Sequence, residues 1–362
     1  MDQAHPQRGN QRGLNAEAVK QFGGKLLGLY TGSVLTKLID IGYEVGLFEA
    51  SRAGPATSEE LAGRAGLKER YVREWLGAMA TSGIYRYDPA SGRYEFPEEH
   101  AVLLTGQSAQ NMAPHSRILE HFGTHLAKLK ACFRSGGGVP YSAYRPVFTQ
   151  CMDDVWRRIY DQTLITGFIG GVPGLAERLR DGASVLDVGC GTGHAVNVMA
   201  REFPRSRFRG YDIAEDAIGA AREEAQAMGL ANASFEVLDV AALPAQPKFG
   251  LITAFDAIHD QKDPDAVLRG VRGALAPEGS FLMIDFKFSS RVEDNVGNPF
   301  APMYYGISLM HCMTVSLAVG GKGLGTVWGE QTAREMLRDA GFTQVEVLDT
   351  PRPQNCMFLC RP

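Results

Sequence analysis

The chain has 362 residues, a formal net charge of −4 at pH 7 and 44% apolar content. That length predicts two domains. The slight acidity offers no global attraction to nucleic acid or anionic membranes. No apolar run approaches the roughly 20 residues that cross a bilayer, and the N-terminus lacks a charged-then-apolar signal pattern, so a cytoplasmic protein is expected. Six cysteines scattered through such a chain read as free, buried thiols.

Residues 1–14 are polar and are expected to form a disordered tail. A helix is predicted over 17–49 from apolar positions including Leu26, Leu27, Val34, Leu35, Leu38 and Ile41. Thr57 followed by Glu60 is a capping-box signal for the next helix. A turn at Gly66 leads to a second helix from about Lys68 to Ser82. Ile84–Tyr87 and Arg93–Phe96 flank Asp88-Pro89-Ala90-Ser91-Gly92, a hairpin signal. Helix–turn–helix followed by a hairpin is the winged-helix pattern, here predicted over 15–105. A DNA-binding regulator is one reading of it. Yet residues 20–105 hold ten Lys/Arg against eleven Asp/Glu, and a neutral module lacks the phosphate-neutralising charge that dominates DNA affinity.

Residues 106–170 read as a helical connector with a glycine-rich loop at 136–142 and frequent aromatics, among them Tyr141, Trp156 and Tyr160. The most informative stretch follows, Val185-Leu186-Asp187-Val188-Gly189-Cys190-Gly191-Thr192-Gly193. A buried strand runs into a turn with glycine at every second position, where backbone can approach a ligand closely. A helix predicted over 195–201 then points its N-terminal N–H groups at that ligand. A dinucleotide turn needs a third glycine at position 194, which is His194. The spacing suits a cofactor without pyrophosphate, such as S-adenosylmethionine (SAM). Asp212 ends the next strand and can accept from both ribose hydroxyls. Asp239 ends a third strand and can accept from the adenine amine, with Ile213 and Val240 on the ring faces. A fourth strand runs from Phe249 to Phe255 and opens into a polar loop.

These strand-end acids and the glycine loop resemble the class I SAM-dependent methyltransferases, over about residues 171–362. The resemblance implies an α/β, Rossmann-like, seven-stranded and mostly parallel sheet whose last strand is antiparallel. Asp187, Gly189, Cys190, Gly191, Gly193, Asp212, Ile213, Asp239, Val240 and Phe255 are then the cofactor-binding candidates. The N-terminal half resembles that of the two-domain small-molecule O-methyltransferases of plants and bacteria. There a winged helix serves dimerisation, so a homodimer is expected. Stretches of the chain are also similar to uncharacterised mycobacterial two-domain methyltransferases. Connectors in such proteins commonly lid the site, which makes Tyr141, Arg157 and Tyr160 pocket candidates.

The loop after the fourth strand reads Asp256-Ala257-Ile258-His259-Asp260-Gln261-Lys262-Asp263-Pro264. A histidine there can accept a proton near neutral pH. From the residues alone it equally reads as a surface histidine before a helix cap, Asp263-Pro264. Small-molecule O-methyltransferases carry His-Asp-Trp-x-Asp at this position, so the resemblance makes His259 the general base, with Asp260 kept and tryptophan replaced by Gln261. It also implies that Glu330, in Trp328-Gly329-Glu330-Gln331, orients the imidazole. A further acid after the fifth strand is either Asp285 or Glu293.

Residues 287–327 depart from the plant pattern. Met303, Tyr304, Tyr305, Leu309, Met310, His311, Cys312 and Met313 recur at roughly helical spacing, as core or pocket wall, with His311 a backup base. Gly320–Gly325 reads as a mobile loop. Cys356-x-x-x-Cys360 with His311-Cys312 invites a zinc reading, but the first pair lies on a predicted strand whereas zinc-binding pairs usually come from turns, so no metal is expected. The expected function is methyl transfer to a small molecule at oxygen. The alternatives are a SAM-sensing DNA-binding regulator and methylation at nitrogen or sulfur. An Asn-Pro-Pro-Tyr-type signature is absent after Phe255, which argues against macromolecular amino-group substrates.

Overall fold

The computed structural model describes residues 13–362, so the polar tail expected at 1–14 lies almost wholly outside the described residues. The chain divides into two compact units, the first ending at Thr105 and the second running from Gly106 to Pro362.

The first unit opens with the helix Ala16–Glu44, capped by Asn15, whose side chain accepts from the Glu17 and Ala18 amides. The helix stops short of the expected residue 49. Gly46 takes φ 77°, and a short helix, Leu47–Ser51, restarts beyond it. Thr57 and Glu60 form the capping box of the helix Ser58–Ala65, with Glu60 N to Thr57 Oγ1 at 3.3 Å and Thr57 N to Glu60 Oε2 at 3.1 Å. The helix Glu69–Thr81 follows, then strands β1 (Arg86–Asp88) and β2 (Arg93–Glu95) pair as the wing. Phe48, Trp75 and Tyr85 centre its core. Much of the first helix stays uncovered: Leu27 is 67% exposed, Tyr30 65% and Val34 56%.

The second unit is a seven-stranded sheet. Its strands are β3 (Ser184–Val188), β4 (Arg207–Asp212), β5 (Ala233–Val237), β6 (Phe249–Phe255), β7 (Leu275–Phe286), β8 (Gln344–Asp349) and β9 (Asn355–Arg361). They lie in the order β5-β4-β3-β6-β7-β9-β8. Pairings from β5 through β7 are parallel, and β9 runs antiparallel to both neighbours. The central strands β3 and β6 are buried on both sides because helices cover both faces. Val185, Leu251 and Leu282 face one core, and Leu186, Ile252 and Phe281 face the other. Strand order reverses between β3 and β6, so their carboxyl ends open the crevice where doubly wound sheets bind ligands.

Residues 106–170 belong to this unit. The helix Val147–Ile159 runs on into a wider-wound stretch, Tyr160–Ile169, whose Leu164, Phe168 and Ile169 enter the sheet's core. The insertion before the last helix is not one helix. It breaks at His311 (φ −139°, ψ −79°) into Ala301–Met310 and Cys312–Ala318. Residues 320–325 are tied down rather than free, with Lys322 N on Lys262 O at 3.2 Å and Gly325 N on His259 O at 3.3 Å. Among the described residues no helix is long and apolar enough to cross a membrane.

Candidate active site

The carboxyl ends of β3, β4 and β6 and the helix Val147–Ile159 enclose a cleft of about 470 Å³, a size usual for small-ligand sites. Its floor is the glycine loop. Gly189 takes φ 70°, and a Cβ there would stand 2.6 Å from the Ala257 methyl. The Gly191 amide donates to Asp212 Oδ2 at 2.9 Å, and the Ala214 amide to Oδ1 at 2.8 Å. Asp212 therefore folds the loop and still keeps lone pairs for a ligand. Burial pushes its carboxyl up. Asp187 accepts from Thr253 Oγ1 at 2.6 Å, and burial pushes it up to about 7. Asp239 caps a short turn through the Ala241 amide at 2.9 Å. Asp153, Asp187, Asp212, Asp239, Asp256 and Asp260 all line the cleft. Walls so rich in acid suit a ligand carrying positive charge.

At the far end the chain leaves β6 through Asp256, a non-glycine residue at φ 50°. Such strain is held where surroundings impose it, commonly at functional sites. Asp256 is half-buried, and its Oδ2, shielded from solvent, has no hydrogen-bond partner among the described residues. Burial and the neighbouring Asp285 carboxylate push its pKa well above the usual range. His259 follows, 2% exposed. Its Nδ1 faces both Asp285 oxygens at 2.9 and 3.0 Å, and its Nε2 lies 3.3 Å from Asp260 Oδ1. Burial alone would lower the imidazole pKa, but the Asp285 and Asp260 carboxylates outweigh it and hold the ring well above 6.5.

The predicted residues fall unevenly. Gly189, Cys190, Gly191, Asp187, Asp212, Ile213, Asp239, Phe255, Tyr141, Tyr160 and Asp260 line the cleft. Gly193 instead caps the helix His194–Glu202 at φ 72° and packs against Phe235 and Ala221. Val240 does not reach the cleft; it is 5% exposed in the core with Leu268 and Val271. Arg157 is taken up by Asp153 at 2.9 Å, by His194 at 2.8 Å and by Glu224, which leaves Tyr160 as the aromatic wall beside Phe255. Met303, 37% exposed on its helix, is not a cleft wall.

Two expectations for the histidine are corrected. Glu330 does not orient His259: its carboxylate holds Arg334 Nε at 2.7 Å within its own helix, and Asp285 holds the imidazole. Glu293 sits exposed on the short helix Val292–Asn295. His311 is no exposed base. It is fully buried, stacked on Phe148 with ring centroids 3.7 Å apart, and burial pushes it down to about 4. Asp256 was missed, since strain at a strand end leaves no trace in composition.

Residues 179–347 match the family described as a methyltransferase domain, and residues 33–106 the family described as an Rv2258c-like winged HTH domain. A trans-aconitate 2-methyltransferase of Variovorax paradoxus is 33% identical over 102 residues, 28% of this chain and 38% of that one. An acetylserotonin O-methyltransferase of Arabidopsis thaliana is 24% identical over 338 residues, 85% of this chain and 83% of that one. Among the curated relatives, matches span as little as 27% and 38% of the relative's own length. Human N-acetylserotonin methyltransferase, solved in complex with SAM, superposes with a TM-score of 0.68 at 16% identity, covering 97% of this chain and 99% of that one. A putative O-methyltransferase of Nostoc punctiforme gives 0.74 at 21%, covering 94% and 98%. At such identities the two structures speak for the fold. Residues 179–347 thus carry a methyltransferase domain and residues 33–106 a winged HTH domain, and the chain fits the class I SAM-dependent methyltransferases.

Proposed function

We propose that this protein transfers a methyl group from SAM to a hydroxyl of a small molecule, with His259 as the general base and Asp285 as its positioning partner. The observation that carries this reading is the acid-lined cleft, with a glycine loop at one end and, buried behind the Asp260 that lines its other end, a histidine held by Asp285. When bound, SAM supplies a methyl group activated by its sulfonium charge. Asp212 would hold its ribose hydroxyls and Asp239 its adenine amine, with Ile213 against the ring. Asp187 and the Gly189–Gly191 backbone would hold the rest.

The chain's own residues do the remaining work. Asp285 accepts the hydrogen bond from Nδ1–H and so leaves Nε2 as the basic atom. Nε2 opens toward Asp260, which lines the cleft, so an acceptor hydroxyl beside Asp260 meets its base there. Tyr160 and Phe255 close the apolar wall and help exclude water. Alignment and proton removal are what such a displacement requires of a protein. The exposed apolar residues of the helix Ala16–Glu44 support a homodimer through the first unit. Its near-neutral charge speaks against DNA as a partner.

The test is methyl transfer from labelled SAM to a panel of phenols, hydroxy acids, amines and thiols, with wild type and His259→Ala side by side. Transfer to a hydroxyl that falls about 10²-fold or more in the variant supports the reading. Transfer only to amines or thiols, undiminished in the variant, overturns it.

A further inference from the structure

His259, Asp260 and Cys312 each bring one donor atom to a common point, all within 4.8 Å of one another. Imidazole, carboxylate and thiolate are donors that zinc takes, and soft thiolate favours zinc over calcium or magnesium. Bonds of about 2.0–2.3 Å would be reached by a contraction of about 1 Å.

The outer layer is also in place. Asp285 holds His259 Nδ1 at 2.9 Å, and metal-bound histidines characteristically give their other nitrogen to a carboxylate. Thr326 Oγ1 lies 3.0 Å from Cys312 Sγ and can donate to a thiolate there. An independent observation points to the same place. His311 is fully buried, neither ring nitrogen has a hydrogen-bond partner among the described residues, and Nδ1 lies 4.0 Å from Asp260 Oδ2. Asp260 Oδ1 is likewise buried and without a hydrogen bond. The Asp285 and Asp260 carboxylates stand 2.9 and 3.3 Å from the two nitrogens of the one imidazole. A dication answers that excess of negative charge better than a single proton does.

We propose that His259, Asp260 and Cys312 form a zinc(II) site, with His311 or a water as fourth ligand. Loading releases the Cys312 thiol proton, and any proton on His259 Nε2, to solvent. Occupation withdraws Nε2 from the acceptor, so zinc inhibits methyl transfer reversibly. The inhibition rests on the reading of His259 as base; the binding does not.

The test titrates the full, chelator-stripped chain with zinc against a chromophoric chelator, and with cobalt(II) as a spectroscopic probe. One metal per chain is expected, with the near-ultraviolet charge-transfer absorption of a cobalt–thiolate bond. Cys312→Ser should lose that absorption and bind zinc at least about 100-fold more weakly, and Thr326→Val about 10- to 100-fold more weakly. Cys312→Ser should keep methyl transfer and lose its sensitivity to zinc. No binding at one equivalent, or binding unchanged in both variants, overturns the site and leaves the base reading standing. Binding at one equivalent with transfer undiminished overturns the inhibition and the base reading together.

Discussion

Replacing Asp285 by asparagine removes a charge and keeps a shape. The amide oxygen can still accept from His259 Nδ1, so the tautomer survives while the anion at 2.9 Å is lost. Opposite charges about 4 Å apart interact by about 4 kcal/mol at an effective dielectric of about 20. At 1.36 kcal/mol per pKa unit that bounds the shift near 3 units, and measured carboxylate effects run from about 1 to 3. In wild type the imidazole is held well above 6.5. The base acts in its neutral form, so kcat/KM should rise with pH along a limb lying above 6.5. In Asp285→Asn that limb should move down by about 1 to 3 units, and the plateau should fall because a weaker base remains. The assay is the initial rate of methyl transfer across pH at saturating SAM. Stability follows the same sign. A raised folded-state pKa contributes stability fully present below 6.5 and lost as pH rises through the folded value. Melting temperature should therefore drop at lower pH in the variant. A limb that stays in place would show that His259 is not the titrating group.

Gly42→Ala should destabilise the first unit by about 1–3 kcal/mol, although alanine favours helices. The new Cβ would stand 2.5 Å from the Trp75 ring, and overpacking outweighs propensity there; denaturant unfolding measures it. Glu224→Gln should ease acid unfolding. Burial raises the Glu224 carboxyl, but His194, Arg157 and Asn197 outweigh it and bring it down to about 2 from 4.5. Its contribution is present above 4.5 and lost as pH falls toward 2, so the acid midpoints should differ within that window. Leu27→Glu with Tyr30→Glu should leave the second unit folded and convert a dimer to monomer in sedimentation, the two side chains being 67% and 65% exposed.

Strands β3 to β6 were legible because each runs into a glycine or an acid, at Gly189, Asp212, Asp239 and Asp256. The closing hairpin is legible in the strand-like runs Val345–Leu348 and Met357–Leu359, which flank a turn rich in proline and asparagine. The partner of His259 was not, because it depends on register. Phe255 pairs with Ile284 across β6 and β7, and this sets the loop after Phe255 beside Asp285. No local pattern around Glu330 or Asp285 records that pairing. The break at His311 was equally hidden, since neither glycine nor proline stands there; it is imposed by packing against Phe148 and Phe122. Val240 was assigned to a ring face by its place after Asp239, yet the turn that Asp239 caps rotates it into the core.

The central claim is that the cleft over β3 and β4 holds SAM through Asp212. Calorimetric titration of SAM into wild type and Asp212→Ala tests it most directly. One site per chain is predicted in wild type, weakened about 10- to 100-fold in the variant, as expected for lost hydrogen bonds to a charged acceptor. Absent binding in wild type, or equal affinity in a folded variant, would contradict it.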